Sequence, residues 1–359
     1  MLSKRTAEAV SLGHPDKSAD FISSYILDRF LQRDPNTRYA VEVMIKGNDV
    51  IIGGEVSSKV SFSKTEIEGF VKEALRIIGY SEEYSKLWGK DAIEIEKLKV
   101  TNLISAQSPE ISTGVTNDGW GDQGVFVGYA TNDSSYNYLA KEQYYAKKLN
   151  FEIYTTAKNH IALGFGLDIK TQITTAHGKI DTVIVAVPTI DDKASLMKGK
   201  ECTYEDYIKN IIATTLDVNL DEVNIIINGT GEYKMHSAVA DCGITGRKLA
   251  CDFYSVFCPI GGGSPWTKDA TKADVSLNIY ARKLAIEHLK DNDECFVYLS
   301  SCIGRSSLPS SYVKTVKDGH EECKEFDFTL TPHEVIEKLS LREPRFASMC
   351  INSTRAFIY

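Results

Sequence analysis

Three consecutive glycines, residues 261–263, lie in a stretch of the chain that is crowded with charged side chains. Among the charged residues of this stretch are Asp241, Arg247, Lys248, Lys268, Asp269, Lys272 and Asp274. A glycine-rich turn lets backbone N–H groups approach an anion closely because no Cβ intervenes. Lysine and arginine supply positive charge for a polyphosphate, and aspartate oxygens suit Mg²⁺. Together they predict a site for a phosphate-rich, metal-bound ligand; for any one residue, a solvated charge beside a turn is the alternative.

A second candidate group precedes an apolar pattern of helical period over residues 21–31. It consists of His14 and Asp16, with Pro15 between them. Pro15 fits the first turn of that helix, where its missing N–H costs nothing. His14 would then lie at a helix N terminus, where anions bind well, and Asp16 could hold a cation that bridges to the same anion. The alternative is that Asp16 only complements the helix dipole while His14 bonds locally. The residues alone leave both interpretations open.

Two strand patterns, residues 39–46 and 50–57, are joined by Gly47-Asn48-Asp49 and predict a hairpin. The acidic residues of its two strands are Glu42 and Glu55. An acid on a sheet usually faces solvent, but Glu55 follows two glycines, and glycine in a strand often marks the close approach of a ligand or of backbone.

The other elements repeat a similar order in each third of the chain. Helices are predicted over residues 64–78, 138–149, 203–216, 272–289 and 332–339, and strands over residues 125–130, 169–176, 180–188, 223–228, 295–300 and 311–317. Asp168 and Lys170 lie at the start of the strand predicted over residues 169–176. They could contact a ligand, or they could form an ordinary charge pair at the end of a strand. Tyr233 follows a glycine-rich turn, where its ring could stack on a base or fill the core. Residues 104–124 are rich in Ser, Gly and Asn and predict a loop, either a lid or a flexible connection.

The chain has 359 residues, enough for two or three domains, and a formal net charge of -8. That charge argues against generic binding to nucleic acid or to an anionic membrane. No apolar run has the roughly 18 to 20 residues of a membrane span, and the N terminus has no signal-peptide core. None of the eight cysteines precedes residue 202 and no C-x-x-C pair occurs, which predicts reduced thiols in a cytoplasmic protein.

Five ordered motifs give the chain a resemblance to the S-adenosylmethionine synthetase (methionine adenosyltransferase) family. They are G-H-P-D-K at residues 13–17, G-G-E at 53–55, G-D-Q-G at 121–124, D-C-G-I-T-G-R-K at 241–248, and G-G-G at 261–263 followed by K-D-A-T-K-A-D at 268–274. The resemblance implies an α+β fold of three similar α/β-sandwich-like domains with pseudo-threefold symmetry. We place the domain boundaries at residues 1–103, 125–230 and 231–359, with residues 104–124 as a candidate active-site loop.

The resemblance also implies the reaction. ATP and L-methionine give S-adenosylmethionine, with the triphosphate cleaved to pyrophosphate and phosphate. The implied catalytic residues are His14, Lys170, Lys248 and Lys268. The implied ATP contacts are His14, Asp168, Lys170, Tyr233, Asp241, Arg247, Lys248, Ser264 and Lys268. The implied methionine contacts are Glu55, Gln107, Asp241 and Lys272. The implied metal ligands are Asp16 and Asp274 for Mg²⁺, with two ions per site, and Glu42 for K⁺. The implied assembly is a homodimer, possible also as a tetramer, with active sites at the subunit interface.

The chain departs from the family pattern at several positions. Leu12 stands where the family usually has a polar residue, and His236-Ser237 replaces a Gly-Gly pair. Glu232 stands where Arg commonly precedes the aromatic residue, so only the aromatic role of Tyr233 carries over. A non-catalytic relative that binds a partner is one alternative, although it would be expected to lose charged residues that this chain retains. An unrelated Mg²⁺-dependent phosphotransferase is another, but the chain has no G-x-x-x-x-G-K-[ST] motif.

Overall fold

A computed structural model of the chain describes residues 4–106, 119–190 and 203–355. The strands are β1 (Lys4–Val10), β2 (Arg38–Lys46), β3 (Asp49–Ser57), β4 (Lys99–Ala106), β5 (Gly124–Thr131), β6 (Lys170–Ala176), β7 (Lys179–Ala186), β8 (Asn224–Ile227), β9 (Gly243–Ile244), β10 (Glu294–Ser301), β11 (Ser310–Lys317) and β12 (His320–Glu325). The α-helices are α1 (Pro15–Leu31), α2 (Lys64–Ile78), α3 (Glu82–Trp88), α4 (Lys141–Asn159), α5 (Tyr204–Leu216), α6 (Ser237–Ala240), α7 (Leu249–Asp252), α8 (Ala273–Leu289), α9 (Pro332–Lys338) and α10 (Phe346–Arg355).

The strands form three four-stranded sheets, in the orders β9-β2-β3-β4, β1-β6-β7-β8 and β5-β10-β11-β12. We name them the N-terminal, central and C-terminal sheets. Each contains an antiparallel hairpin and one strand from another third of the chain: β9, β1 or β5. The predicted domain boundaries remain a prediction, but these three strands each pair across one of them. In addition, β4 continues to Ala106, three residues into the predicted loop.

Each sheet carries one long helix that packs across the exchanged strand and its neighbour. Helix α1 covers β9 and β2, α4 covers β1 and β6, and α8 covers β5 and β10. Apolar side chains between helix and sheet form the core, including Ile22 and Val41 in the first unit and Ile153 and Ile173 in the second. The α+β fold of three similar helix-and-sheet units with pseudo-threefold symmetry, expected from the resemblance, is therefore confirmed.

A second helix in each unit begins at the same local signal. Helices α2, α5 and α9 start with capping boxes, in which a Ser or Thr and an acid three residues later bond each other's backbone N–H. The capping residues are Ser63 with Glu66, Thr203 with Asp206, and Thr331 with Glu334. This local rule explains why the boundaries predicted for these helices agree with the structure to within one residue.

Helix α4 differs from its prediction at both ends. It begins at Lys141 rather than at Tyr138, because Asn137 and Tyr138 adopt positive φ angles of 54° and 56°, which an α-helix does not accept. It then continues to Asn159, ten residues past the predicted end. Within the parts of the chain that the structure describes, no helix is long and apolar enough to cross a lipid bilayer.

Candidate active site

The N terminus of α1 presents His14 as the N-cap residue, with Pro15 at the first helical position. The His14 Nδ1 atom accepts a hydrogen bond of 3.1 Å from the backbone N–H of Asp16, so a neutral ring carries its proton on Nε2. Burial, together with the positive charges of Lys248 and Lys170, lowers the pKa of His14 to about 3. The prediction that His14 caps a helix N terminus is confirmed. At neutral pH the ring is an uncharged N–H donor.

Asp16 contacts two basic side chains, Arg247 and Lys248, from a distant part of the chain. Its Oδ2 atom lies 2.6 Å from the Lys248 ammonium and its Oδ1 atom lies 3.7 Å from the Arg247 guanidinium. Oδ1 also accepts a 2.9 Å hydrogen bond from the N–H of Ile244. The Asp16 side chain is 1% exposed and that of Lys248 is 23% exposed, so the pair is buried at the acid and open to solvent at the base.

Glycine allows the loop of residues 243–248 to lie this close to α1. A Cβ on Gly243 would lie 2.3 Å from the carbonyl oxygen of Pro15, closer than any side chain could fit. Gly246 has a φ of +76°, and its N–H donates a 2.8 Å hydrogen bond to Asp20 of α1. The loop is therefore attached to α1 at two points, and these place Arg247 and Lys248 beside Asp16.

The central sheet contributes Lys170, the first residue of β6, and Asp168, two residues before it. The Oδ2 atom of Asp168 accepts a 3.1 Å hydrogen bond from the N–H of Ser237, whereas Oδ1 is buried with no partner among the described residues. Loss of solvation raises the pKa of Asp168 to about 6, opposed by the positive charge of Lys170. A buried carboxylate oxygen without a partner is a natural place for a ligand hydroxyl.

Lys268 and Asp274 form a second acid–base pair, with 2.5 Å between the ammonium and Oδ2. Asp274 is in the first turn of α8. A Cβ on Gly263 would lie 1.8 Å from the Asp274 carboxyl carbon, so only glycine fits against this acid. Lys268 forms a β-bridge with Ala40, which pairs on its other side with Glu55. The stretch after the three glycines therefore lies along the edge of β2.

Glu42 and Glu55 lie on one face of the N-terminal sheet. In the β2–β3 register, Glu55 is opposite Ala40 and Glu42 is opposite Gly53, so the two acids are diagonal neighbours. Glu42 accepts a hydrogen bond from the hydroxyl of Thr245, which lies in the same loop as Arg247 and Lys248. The sheet acids and the charged loop are thus in direct contact.

The structure brings most of the predicted site residues into two connected groups. His14, Asp16, Asp168, Lys170, Asp241, Arg247 and Lys248 interact around the N terminus of α1. Glu42, Glu55, Lys268 and Asp274 lie at the N-terminal sheet or beside it. The loops that carry the two groups meet where a Cβ on Gly246 would lie 3.2 Å from the Ser264 Cβ.

The remaining predicted residues are placed by their elements. Tyr233 is half-buried, and its carbonyl accepts a 2.9 Å hydrogen bond from Thr189. Ser264 accepts a 3.3 Å hydrogen bond from the N–H of Trp266. Lys272 is the N-cap residue of α8. Gln107 is outside the described residues.

Sequence reasoning missed four buried charged residues directly beneath the site. Lys17 is 2.8 Å from Asp252 and 3.1 Å from Asp20, and all three side chains are 2% exposed or less. The Lys147 ammonium, on α4, donates a 2.8 Å hydrogen bond to the carbonyl oxygen of Asp252. The available signal was the opposite charge pair at positions i and i+3, Lys17 and Asp20, inside a helix whose neighbouring residues are apolar.

The donor set fits hard divalent cations that are shared with a phosphate ligand. In the described residues, no group of three or more His, Cys, Asp or Glu side chains forms a ready metal cage. Mg²⁺ commonly binds through one or two carboxylates and completes its shell with water and substrate phosphates. Asp16 and Asp274 satisfy that requirement, each beside a lysine that balances its charge.

Three protein-family models match consecutive parts of the chain. They are the S-adenosylmethionine synthetase N-terminal domain over residues 3–109, the central domain over residues 117–233 and the C-terminal domain over residues 235–355. Together they account for nearly the whole sequence, in the order expected for this family.

Curated relatives and a solved structure agree with these matches. An S-adenosylmethionine synthase of Zymomonas mobilis is 33% identical over 358 residues, covering 94% of this chain and 89% of the relative. One of Mesoplasma florum is 31% identical, covering 95% and 92%. The structure of an S-adenosylmethionine synthetase from Campylobacter jejuni, described as unusual, superposes with a TM-score of 0.85 at 30% identity, covering 99% of this chain and 96% of that chain.

Proposed function

The chain belongs to the S-adenosylmethionine synthetase family, and from that membership we propose which of its residues perform each part of the reaction. The enzyme is a methionine adenosyltransferase. The sulfur of L-methionine attacks the 5′ carbon of ATP, an S–C bond forms, and the C–O bond to the triphosphate breaks. The product is S-adenosylmethionine, and water then splits the triphosphate into pyrophosphate and phosphate.

The reaction depends mainly on electrostatic stabilisation of its transition state. A thioether sulfur is a neutral nucleophile with no proton to lose, so no general base is needed to activate it. Negative charge grows on the oxygen that leaves C5′, and donors or cations fixed around that oxygen lower the barrier. Alignment of sulfur, carbon and oxygen is the second requirement.

One observation carries the assignment: three distant stretches of chain place positive charge and one N–H donor around the N terminus of α1. Lys248 and Arg247 contact Asp16, and Lys170 and Lys248 both act on His14 through their charge. We assign this cluster to the triphosphate. His14 donates to it through Nε2–H, while Lys170, Arg247 and Lys248 balance its charge, and Lys268 extends the positive surface toward Asp274.

The nucleoside and the amino acid are assigned to the two sides of this cluster. Asp168, whose Oδ1 has no partner in the part of the chain that the structure describes, suits the ribose hydroxyls. Tyr233 supplies an aromatic ring for adenine, and Ser264 and Asp241 add polar contacts to ATP. For methionine, the contacts assigned are Glu55, Gln107, Asp241 and Lys272, in which acids meet the ammonium group and lysine meets the carboxylate.

Metal ions belong to the same proposal. Asp16 and Asp274 would hold Mg²⁺, with two ions per site, and Glu42 would hold K⁺. When bound, Mg²⁺ supplies charge neutralisation on the triphosphate oxygens and a fixed geometry for them. The chain's own contribution is to hold each aspartate beside a lysine partner and to have, at Gly263, no side chain that would displace Asp274.

We further propose a homodimer in which a second copy covers the outer face of the N-terminal sheet. This face carries Glu42 and also exposes apolar side chains: Met44 is 36% exposed, Ile244 37% and Leu103 61%. The strand registers place all of them on the same side, because Met44 pairs with Ile244 and Gly53 pairs with both Glu42 and Leu103. Exposed apolar residues that border functional acids are typical of a covered interface.

The same proposal places the enzyme in the cytoplasm, where ATP and methionine are available. The seven cysteines that the structure describes are free thiols, as a reducing compartment requires.

Product analysis tests the function. The purified protein, given ATP, L-methionine, Mg²⁺ and K⁺, should yield S-adenosylmethionine, pyrophosphate and phosphate in equal amounts by mass spectrometry and phosphate assay. ADP should be absent. ADP formation would indicate a phosphotransferase instead, and ATP binding without an adenosylated product would favour a non-catalytic relative. Light scattering under the same conditions should give the mass of a dimer or of a tetramer built from it.

A further inference from the structure

A buried hydrogen bond between Tyr84 and His236 lies outside the residues assigned so far. The Tyr84 hydroxyl oxygen is 2.5 Å from the His236 Nε2 atom, and both residues are no more than 1% exposed. On the other side of the ring, Nδ1 is 2.7 Å from the carbonyl oxygen of Lys234. Burial lowers the pKa of His236 to about 4, so the ring is neutral at pH 7. Nδ1–H therefore donates to Lys234, and Nε2 accepts from the Tyr84 hydroxyl.

The Tyr84 hydroxyl makes a second hydrogen bond. Its oxygen accepts a 3.1 Å hydrogen bond from the backbone N–H of Leu167, the residue directly before Asp168. One hydroxyl thus joins two separate segments, the one that leads into β6 and the one that leads into α6. Leu167 and His236 are 69 positions apart in the sequence and lie on different elements, and the Tyr84 hydroxyl bonds both of them.

The surroundings hold this arrangement rigidly. The rings of Trp88 and His236 lie 4.5 Å apart, nearly perpendicular at 72°. The backbone N–H of His236 donates a 3.0 Å hydrogen bond to the carbonyl oxygen of Asp91. A Cβ on Gly166 would lie 3.0 Å from the His236 Nε2 atom and 2.6 Å from Pro188, so the adjacent backbone approaches the imidazole closely. Helix α3 and the turn after it form a fixed support for the histidine.

Both joined segments carry residues assigned to ATP. Ser237, next to His236, donates its N–H to the Oδ2 atom of Asp168. Tyr233 precedes the same histidine, and its carbonyl is held by Thr189. The Tyr84–His236 bond is therefore one of the contacts that hold the segment of Tyr233 beside Asp168.

We propose that His236 is a positioning residue for the nucleotide site: through Tyr84 it fixes the segment that carries Tyr233 against the strand start that carries Asp168. This inference rests on the proposed function, because it concerns the ATP side of that site. His236 itself is sealed between Tyr84, Trp88 and the Lys234 carbonyl, so it acts through its neighbours. Of the methionine contacts, Glu55 and Lys272 lie on other elements, and Asp241 is separated from His236 by α6, so the methionine side should be affected less.

Steady-state kinetics of the full-length protein test the proposal with two variants. His236→Ala removes the ring, and Tyr84→Phe keeps the aromatic packing but removes the hydroxyl. In both, we expect KM for ATP to rise about tenfold, the loss expected for one buried hydrogen bond, while KM for methionine changes less than about twofold. Binding of adenylyl imidodiphosphate, measured by calorimetry, should weaken by the same factor. Added imidazole should restore ATP binding in His236→Ala and have no effect in Tyr84→Phe.

Tyr129→Phe is the matched control, since it removes another buried hydroxyl, which bonds Glu294 in the C-terminal sheet at 2.5 Å. It should leave both KM values unchanged. The proposal is overturned if both substrates' KM values rise together, if stability falls while KM for ATP stays constant, or if imidazole restores nothing. If His236→Ala does not fold, Tyr84→Phe decides alone. A wild-type protein that makes no S-adenosylmethionine would instead refute the proposed function.

Discussion

Asp16 and Lys17 are adjacent residues in the first turn of α1, yet they belong to two different charge networks. We call Asp16, Lys170, Arg247 and Lys248 the open network, and Lys17, Asp20, Lys147 and Asp252 the sealed network. In the sealed network every side chain is nearly inaccessible, with Lys17 and Asp20 at 0% and Asp252 at 2% exposure. In the open network the acid is buried but the bases reach solvent, with Arg247 51% exposed.

The difference lies in what completes each set of charges. Lys17 is satisfied inside the protein by two carboxylates and lies 4.8 Å from the Trp266 ring. Its carboxylate neighbours outweigh burial, so the pKa of Lys17 is raised well above its ordinary value. Lys170 and Lys248 keep an exposed end, where an anionic ligand can bind. The same residue types therefore stabilise the fold in one network and offer a binding surface in the other.

The two networks are also physically connected. The Oδ2 atom of Asp20 accepts a hydrogen bond from Lys17, and its Oδ1 atom accepts one from the Gly246 N–H. Gly246 directly precedes Arg247 and Lys248. The sealed network thus positions the loop that carries Arg247 and Lys248 of the open network. A rigid buried foundation of this kind supports a site that must bind a highly charged ligand.

Removing a charge from the sealed network should have the largest effect on folding. Lys17→Met leaves Asp20 and Asp252 buried without their cation, and breaking a buried pair from one side costs about 3–5 kcal/mol. We expect the free energy of unfolding, measured by urea titration, to fall by that amount. A loss below about 1 kcal/mol would contradict the claim that these charges depend on each other.

The second test concerns the space beside Asp274. Gly263→Ala would put a methyl group 1.8 Å from the Asp274 carboxyl carbon, so the acid must move away from Lys268. We expect kcat/KM to fall about 10²-fold, as for the loss of one electrostatic contact. Gly262→Ala is the control, because among the described residues, apart from its chain neighbours, no atom lies within 4 Å of its added Cβ. Equal activities of the two variants would show that Asp274 has no strict position.

A sealed histidine should make stability depend on pH. The folded pKa of His236 is about 4, lowered from 6.5 mainly by burial and opposed by the hydrogen bond to the Lys234 carbonyl and by the charge of Asp91. Tyr84 and Trp88 pack on the ring. Between these values the unfolded chain takes up a proton and the folded chain does not, so stability falls as pH falls below about 6.5. The loss from this group at pH 5 is about 2 kcal/mol.

His236→Gln provides the comparison for that pH dependence. The variant cannot titrate at this position, so its free energy of unfolding should change less between pH 7.5 and pH 5 than that of the wild type, by about 2 kcal/mol. Identical slopes in the two proteins would mean that the ring is protonated in the folded state.

An exposed pair should show the smallest effect. Lys4 and Asp181 are 3.1 Å apart, with side chains 63% and 34% exposed. Surface pairs of this kind contribute about 0–1 kcal/mol, so Lys4→Met should unfold at almost the same urea concentration as the wild type. A loss as large as that of Lys17→Met would remove the distinction between exposed and sealed charges.

The sequence allowed the local parts of this structure to be predicted, since they depend on neighbouring residues. The β2–β3 hairpin followed from Gly47-Asn48-Asp49, and helix α2 followed from its apolar period and capping box. The position of His14 at a helix N terminus followed from Pro15. The charged stretch around the three glycines was recognised from density of charge alone.

The parts that sequence reasoning missed depend on long-range pairing. The short β9 could not be predicted, because two residues carry no period, and only its pairing with β2 makes it a strand. The edge strand β12 was missed because all six of its residues are exposed, so it lacks the alternation of a half-buried strand. The Tyr84–His236 bond joins residues 152 positions apart, and a lone buried histidine gives no local signal of its partner.

The most direct test of the whole account compares two exposed lysines of the same hairpin. Lys170 begins β6 and belongs to the open network, whereas Lys179 begins β7 at the opposite end of the hairpin. For Lys170→Met we predict a fall in kcat/KM of about 10²–10³ with an unchanged midpoint of thermal unfolding, and for Lys179→Met no change in either. If Lys170→Met keeps its activity, or loses it only in proportion to a loss of stability, the open network is not the site of the chemistry.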